Sequence, residues 1–288
     1  MLYDPNIATF LQDTLPWAGA FFSILSEMGG LVLIVSLLLT GYWTYRKRET
    51  MIITLILVVS VIANYWLKYA FASPRPATTY WYGEVEATNY GLPSGHAQNS
   101  STLYTWLAGK VKTWWMVLVS TILIVMIGVS RVYLGVHFLG DVLVGWAIGI
   151  AIGLGAFYFE KQISDFASRI KSVYWYLLFF IIGLILVVVS SILPYPPGDN
   201  FGAYGGLTMG AAIAFPLENR YVKFELGQIR TPRLIARGIV GLLLVLGVML
   251  GLSQILPTSE IWLRTLRYFA VAFVGIFLWP LIFEKIGL

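Results

Sequence analysis

Apolar runs of about 20 residues, each long enough to cross a bilayer core as a helix, alternate with short polar breaks along most of the 288-residue chain. This pattern predicts nine spans, at roughly 25–45, 50–72, 95–110, 113–132, 138–159, 173–193, 201–217, 233–255 and 261–282. Ahead of them, residues 5–22 read as an amphipathic helix on the membrane surface, with Phe10, Leu11, Trp17, Phe21 and Phe22 on its apolar side. The third run is short and opens polar: Gln98, Asn99, Ser100 and Ser101 follow His96. Polar groups at that depth are tolerated only against protein or a water-filled cavity. The expected fold is an all-α polytopic transmembrane helical bundle.

Composition agrees. The chain is 58% hydrophobic and 11% charged, whereas a soluble domain carries about 25% charged residues. The net charge of +5 is spread over short loops, which suits membrane orientation and not a nucleic-acid partner. If nine spans alternate, Arg46, Lys47, Arg48, Lys110, Lys112, Lys161, Arg169, Lys171, Arg220, Lys223, Arg230, Arg233, Arg237 and Lys285 share one side. Lys68, Arg75, Arg131, Arg264 and Arg267 share the other. The positive-inside rule then makes the larger set cytoplasmic, with the N-terminus outside and the C-terminus inside. An even number of spans spoils this segregation. There is no cysteine, so thiol chemistry and disulfides are excluded. No cleavable signal peptide is expected, because Asp4 and Asp13 interrupt the start and no basic-then-apolar leader precedes them.

Ionisable residues at membrane depth mark function by default, and three segments of the smaller set carry them. Lys68 and Arg75-Pro76 close the second span; an ammonium and a planar guanidinium both suit phosphate oxygens, although both residues would also serve as snorkelling helix anchors. Pro93-Ser94-Gly95-His96 opens the third span. Here Ser94 reads as an N-cap, Gly95 permits close approach to the free N–H groups of a helix start, and His96 can exchange a proton near neutral pH. The plainer alternative is a Ser cap beside an interfacial histidine. Ser130-Arg131 ends the fourth span, with His137 six residues beyond Arg131 and Asp141 four further on. Residues four apart share a helix face, so Asp141 can fix the tautomer of His137. The alternative is a helix-start charge beside a loop histidine. Both histidines of the chain and three of the five outer cations meet here, which suits positioning and neutralising a phosphoryl group.

These residues resemble the type 2 phosphatidic acid phosphatase and vanadium haloperoxidase superfamily. Its signature reads Lys, six residues, Arg-Pro; then Pro-Ser-Gly-His; then Ser-Arg, five residues, His, three residues, Asp. All three parts match at residues 68–141. The resemblance implies that His137 is the nucleophile, that Asp141 orients it and that His96 protonates the leaving group. It further implies that Lys68, Arg75, Ser94, Gly95 and Arg131 hold the phosphate, and that no metal or other cofactor takes part. The sequence offers no His/carboxylate cluster of metal-ligand type. A core bundle over residues 25–160 is expected to carry the motifs, preceded by a surface helix at 1–24 and followed by additional transmembrane helices at 161–288. Because the motifs sit at span ends, the resemblance favours the membrane lipid phosphatase branch. Expected substrates are undecaprenyl diphosphate, phosphatidylglycerol phosphate or phosphatidic acid, with membrane lipids as the surroundings and the site on the extracytoplasmic side. The nine-span plan is also similar to that of glucose-6-phosphatase and the sphingosine-1-phosphate phosphatases. A non-hydrolytic lipid transporter on the same scaffold would be expected to have lost the catalytic residues.

Outside the motifs, Tyr80 and Trp81 are candidate headgroup contacts, or part of an aromatic interfacial belt. Glu84 and Glu86 could repel a second anionic group or bind a bridging cation, or be a solvated acidic turn. Arg264 and Arg267 are candidate ligands of a second phosphate, or interfacial anchors. The basic loop 220–237 is expected to face anionic lipid. The small residues of 202–212 suit close helix packing.

Overall fold

The computed structural model describes residues 2–83, 85, 87, 89–192, 201–226, 231–256 and 260–288. Glu84, Glu86 and Arg230 lie outside the described residues. The fold is all-α; among the described residues there is no strand. These residues form thirteen α-helices: α1 Asn6–Thr14, α2 Gly19–Glu27, α3 Leu31–Thr44, α4 Lys47–Phe71, α5 Gly95–Val111, α6 Trp114–Tyr133, α7 Leu139–Tyr158, α8 Glu160–Ser168, α9 Ser172–Ile192, α10 Phe201–Leu217, α11 Thr231–Ile255, α12 Ile261–Phe273 and α13 Trp279–Ile286. Short 3₁₀ turns occupy Pro16–Ala18 and Thr78–Tyr80. Wider π-turns at Glu218–Val222 and Val274–Leu278 follow α10 and join α12 to α13. Six helical segments among the described residues are long and apolar enough to cross a membrane, or seven if one bent pair counts as a span. Helices α5 and α10, each 17 residues, occupy two further ranges of the nine expected from sequence.

The N-terminal region departs from expectation. A single surface helix over 5–22 is replaced by α1, a 3₁₀ turn and α2. Leu15 stands before Pro16 and leaves the helical region (φ −127°, ψ 57°), as the pre-proline clash demands. The span expected at 25–45 is bent by 51° between α2 and α3. The break falls at Gly29-Gly30, where a Cβ on Gly29 would lie 2.7 Å from Ile127 Cγ2. Phe22, expected on a lipid-facing side, is buried and stacks on Tyr133, whereas Phe10, Trp17 and Phe21 are exposed.

The chain forms two compact units. The first comprises residues 1–35 and 52–163. Its centre is the pairing of α5 with α7. Gly145, Gly149 and Gly153 repeat every fourth residue along α7. A Cβ on each would strike backbone carbonyls at the start of or within α5: Ser94 O (2.7 Å), Gln98 O and Thr102 O (2.8 Å) respectively. Without a hydrophobic drive between helices in lipid, such small-residue stripes allow the close approach that holds them. Polar residues of the short α5 turn inward, as their membrane depth requires. Gln98 Nε2 donates to Ser60 O (2.8 Å), Asn64 Nδ2 donates to Gln98 Oε1 (2.9 Å), and Ser60 Oγ donates to Asn99 Oδ1 (2.8 Å). The outer face of α6 instead exposes Trp114, Val117, Leu118, Ile122 and Val125, which suits lipid.

The second unit comprises residues 36–51 and 164–288. Helix α10 packs between α9 and α12 through its small residues, as the sequence suggested. A Cβ on Gly205 would lie 2.7 Å from Gly183 O, and one on Gly210 2.6 Å from Phe269 O. The α10 end is fixed by Glu218, fully buried. Its carboxylate accepts from Lys47 Nζ (2.6 and 2.7 Å), Tyr42 Oη (3.3 Å) and Phe224 N (3.2 Å).

Candidate active site

All three motif segments meet in the first unit. Lys68 is buried in the last turn of α4. A buried ammonium must be solvated by protein groups, and its Nζ donates to the carbonyls of Tyr90 and Gly91, the latter at 3.1 Å. Arg75 follows the Pro74 break. Its Nε donates to Asn89 O and its Nη2 to Asn89 Oδ1, each at 2.5 Å. Its Nη1 lies 2.8 Å from Val136 O and 2.9 Å from His137 Nε2.

That last contact fixes a proton. A guanidinium has donors only, so His137 Nε2 must be the acceptor. The ring proton is then on Nδ1, which lies 3.2 Å from Asp141 Oδ2 and donates to it. The same Oδ2 accepts the Phe138 N–H at 3.1 Å, the reach-back of a carboxylate in the first turn of α7. The Asp141 backbone carbonyl accepts the Ser94 N–H at 3.0 Å, which ties the start of α5 to the start of α7. Burial, then the charges of Arg75, Lys68, Arg131 and His96, hold the His137 imidazole well below the ordinary histidine range. A neutral, Nδ1-protonated imidazole with its Nε2 lone pair facing a cation cluster is the state a nucleophilic histidine requires.

Ser94 takes the N-cap position of α5, as expected from sequence, but its hydroxyl makes no cap bond. Its Oγ is buried without a hydrogen-bond partner, as is Arg131 Nε. The short polar start of α5 is secured instead from beneath: Asn64 Nδ2 donates to Pro93 O (3.2 Å). A Cβ on Gly95 would lie 3.1 Å from Asn64 Oδ1. Arg131, buried in the last turn of α6, donates through Nη1 to Ser26 Oγ. His96 packs beside the α2–α3 break, 3.2 Å from where a Gly29 Cβ would be.

Sequence reasoning missed five contributors. Ser26 comes from α2 and Gly29 from the break that follows it. Asn89 grips Arg75. Gly91 is wedged where a Cβ would lie 2.8 Å from Asp141 Oδ2 and 3.1 Å from Pro74 O. Asn64 did offer a signal, being polar within an apolar run one turn before Lys68. Of the further candidates, Tyr80 gives its carbonyl to Gln12 Nε2 (3.1 Å), and Trp81 donates to Pro76 O (3.1 Å) while packing on the Phe22–Tyr133 cluster. Arg264 and Arg267 belong to the second unit, at the start of α12, with Arg267 buried. Among the described residues no three His, Asp or Glu side chains group as metal ligands.

Fold and site together define a multi-pass integral membrane protein in which buried Lys68 and Arg131 and half-buried Arg75 act on a paired histidine and aspartate. Residues 49–165 match the PAP2 superfamily, and residues 202–288 match the PAP2 superfamily phosphatase transmembrane extension. Together these matches cover more than half of the chain, and the chain belongs to the PAP2 superfamily. It is similar to phosphatidylglycerophosphatase B of Bacillus subtilis, 26% identical over 54% of this chain and 81% of that protein. It is also similar to lipid phosphate phosphatase delta of Arabidopsis thaliana, 27% identical over 72% of this chain and 53% of that protein. With dolichyldiphosphatase of Saccharomyces cerevisiae it shares 25% identity over 71% of this chain and 84% of that protein.

Proposed function

We propose that the protein is a lipid phosphate or lipid diphosphate phosphatase working through a phosphohistidine intermediate. The observation that carries this is the geometry of His137, whose Nδ1 faces Asp141 and whose Nε2 faces Arg75. In the proposed reaction the Nε2 lone pair attacks phosphorus while the P–O bond to the lipid breaks in line. His96 gives its proton to the departing alkoxide, or to the departing phosphate of a diphosphate. Asp141 stabilises the positive imidazole ring of the intermediate. Lys68, Arg75, Arg131, the Ser94 hydroxyl and the N–H groups at Gly95 neutralise the phosphoryl oxygens. Water activated by His96 then attacks phosphorus, breaks the P–N bond and restores neutral His137. No step needs a metal ion.

The segregation of Lys and Arg supports nine spans, with the N-terminus and the active site extracytoplasmic. Lipid substrates are favoured because the similar proteins are named as lipid phosphatases and because the site lies at helix ends. The test is phosphate release by the purified protein in detergent or liposomes, with EDTA present. The panel is undecaprenyl diphosphate, phosphatidylglycerol phosphate, phosphatidic acid, sphingosine-1-phosphate and glucose-6-phosphate. Turnover of a lipid, with vanadate inhibition, is expected. Preference for the soluble sugar phosphate would reassign the substrate class. Lipid movement across liposomes by His137→Ala, without hydrolysis by the native protein, would point to a transporter.

A further inference from the structure

Arg75 is the cation in contact with the nucleophile, and its orientation is set from outside the signature. The guanidinium is planar, so fixing two of its nitrogens fixes the third. Asn89 fixes two. Its main-chain carbonyl takes Nε and its side-chain Oδ1 takes Nη2, each at 2.5 Å. This fork leaves Nη1 directed at His137 Nε2, 2.9 Å away, and at Val136 O, 2.8 Å away. Asn89 lies two residues before Gly91, whose N–H donates to Ser73 O at 2.8 Å and whose carbonyl accepts from Lys68. The run Asn89-Tyr90-Gly91 therefore holds both cations of the first motif from one side.

We propose that Asn89 is a positioning residue of the phosphate site. It holds the Arg75 fork so that Nη1 covers the nucleophilic nitrogen in the resting enzyme and transfers to a phosphoryl oxygen when substrate arrives. The inference rests on the phosphatase reading above and deepens it. An amide is suited to the task because it accepts from the guanidinium without cancelling its charge. A carboxylate at this position would accept as well but would neutralise Arg75 toward the phosphate. An apolar residue would keep only the main-chain acceptor and let the fork rotate.

Two variants separate these effects. Asn89→Ala removes the Oδ1 acceptor of a charge-assisted hydrogen bond, and kcat/KM on the lipid substrate should fall about 10-fold. Asn89→Asp keeps the acceptor but adds charge. Vanadate inhibition should weaken more in Asn89→Asp than in Asn89→Ala, although the fork remains held. The decisive experiment is a double-mutant cycle of Asn89→Ala with Arg75→Ala, read as the vanadate dissociation constant and as kcat/KM. Residues acting through one another are non-additive, so Asn89→Ala should change neither quantity more than about 2-fold once Arg75 is gone. Equal effects of Asn89→Ala with and without Arg75 overturn the proposal, as does native kcat/KM and vanadate affinity in Asn89→Asp. If the native protein neither hydrolyses any lipid of the panel nor binds vanadate, the phosphatase reading fails and this inference fails with it. Native turnover with an additive cycle removes the role of Asn89 alone.

Discussion

Replacing Asp141 by asparagine isolates the charge of the proposed orienting residue from its geometry. One oxygen, Oδ2, accepts both the Phe138 N–H (3.1 Å) and the His137 Nδ1–H (3.2 Å). Because a backbone N–H must meet an acceptor, the amide introduced at this position will place its carbonyl oxygen there and its NH2 away. The His137 tautomer is then kept, and only the carboxylate charge is lost. In the proposed intermediate the phosphohistidine ring is cationic, and two unit charges about 5 Å apart at an effective dielectric of about 20 attract by about 3 kcal/mol. Every 1.36 kcal/mol is about tenfold in rate, so kcat should fall by about two orders of magnitude. KM should stay within about 3-fold, since uniform binding is untouched. The assay is phosphate release from the preferred lipid in detergent micelles, beside His137→Ala as the zero. A kcat for Asp141→Asn within about 3-fold of native would refute the role of the carboxylate. Activity as low as that of His137→Ala would refute the retained tautomer.

Three further outcomes follow from separate features. Burial and neighbouring cations lower the His137 pKa, so the neutral ring that the proposed attack needs persists into acid. The acid limb of kcat/KM should therefore lie below about pH 6.5, the ordinary histidine value; Arg75→Ala removes a cation and should move that limb upward, and a fixed limb would deny their coupling. Gly91→Ala puts a methyl 2.8 Å from Asp141 Oδ2 and 3.1 Å from Pro74 O. Overpacking costs about 1–3 kcal/mol, and activity should drop about tenfold or more while the protein still elutes as a folded species; native activity would show that the junction yields. Glu218→Ala leaves Lys47 without its buried partner. Breaking such a pair costs about 3–5 kcal/mol. Lys47 is 23% exposed and can reach solvent, so the loss should sit near the lower end. Thermal unfolding in detergent should show a lower Tm, partly restored by adding Lys47→Met; an unchanged Tm would count against a stabilising pair.

The sequence revealed the residues that are costly in a membrane. Lys68, Arg75, Arg131, His137 and Asp141 stand out because charge is rare in apolar runs, and the i,i+4 spacing of His137 and Asp141 survives as a contact. The signal fades where chemistry is carried by ordinary groups. Ser26 reaches Arg131 through a hydroxyl that looks like any helix serine. Asn89 acts through both a side chain and a carbonyl, and nothing in a polar loop distinguishes it. The glycine stripe of α7 was not singled out, because the α5 backbone it admits is identified only by packing. Ser94 was legible in part: it takes the cap position its type and place suggest, yet its hydroxyl makes no cap bond. The break of the first span at Gly29-Gly30 was legible in principle; the long apolar run masked it, and hydropathy windows average over two glycines.

In the proposed mechanism phosphorus bonds to His137 during turnover. The direct measurement is alkaline quench of the enzyme with ³²P-labelled phosphatidic acid, or whichever lipid of the panel is hydrolysed fastest, followed by peptide mapping. Acid-labile, alkali-stable label on the peptide bearing His137, absent from His137→Ala together with turnover, is the predicted result. Turnover that persists in His137→Ala, or label on any other residue, would contradict it.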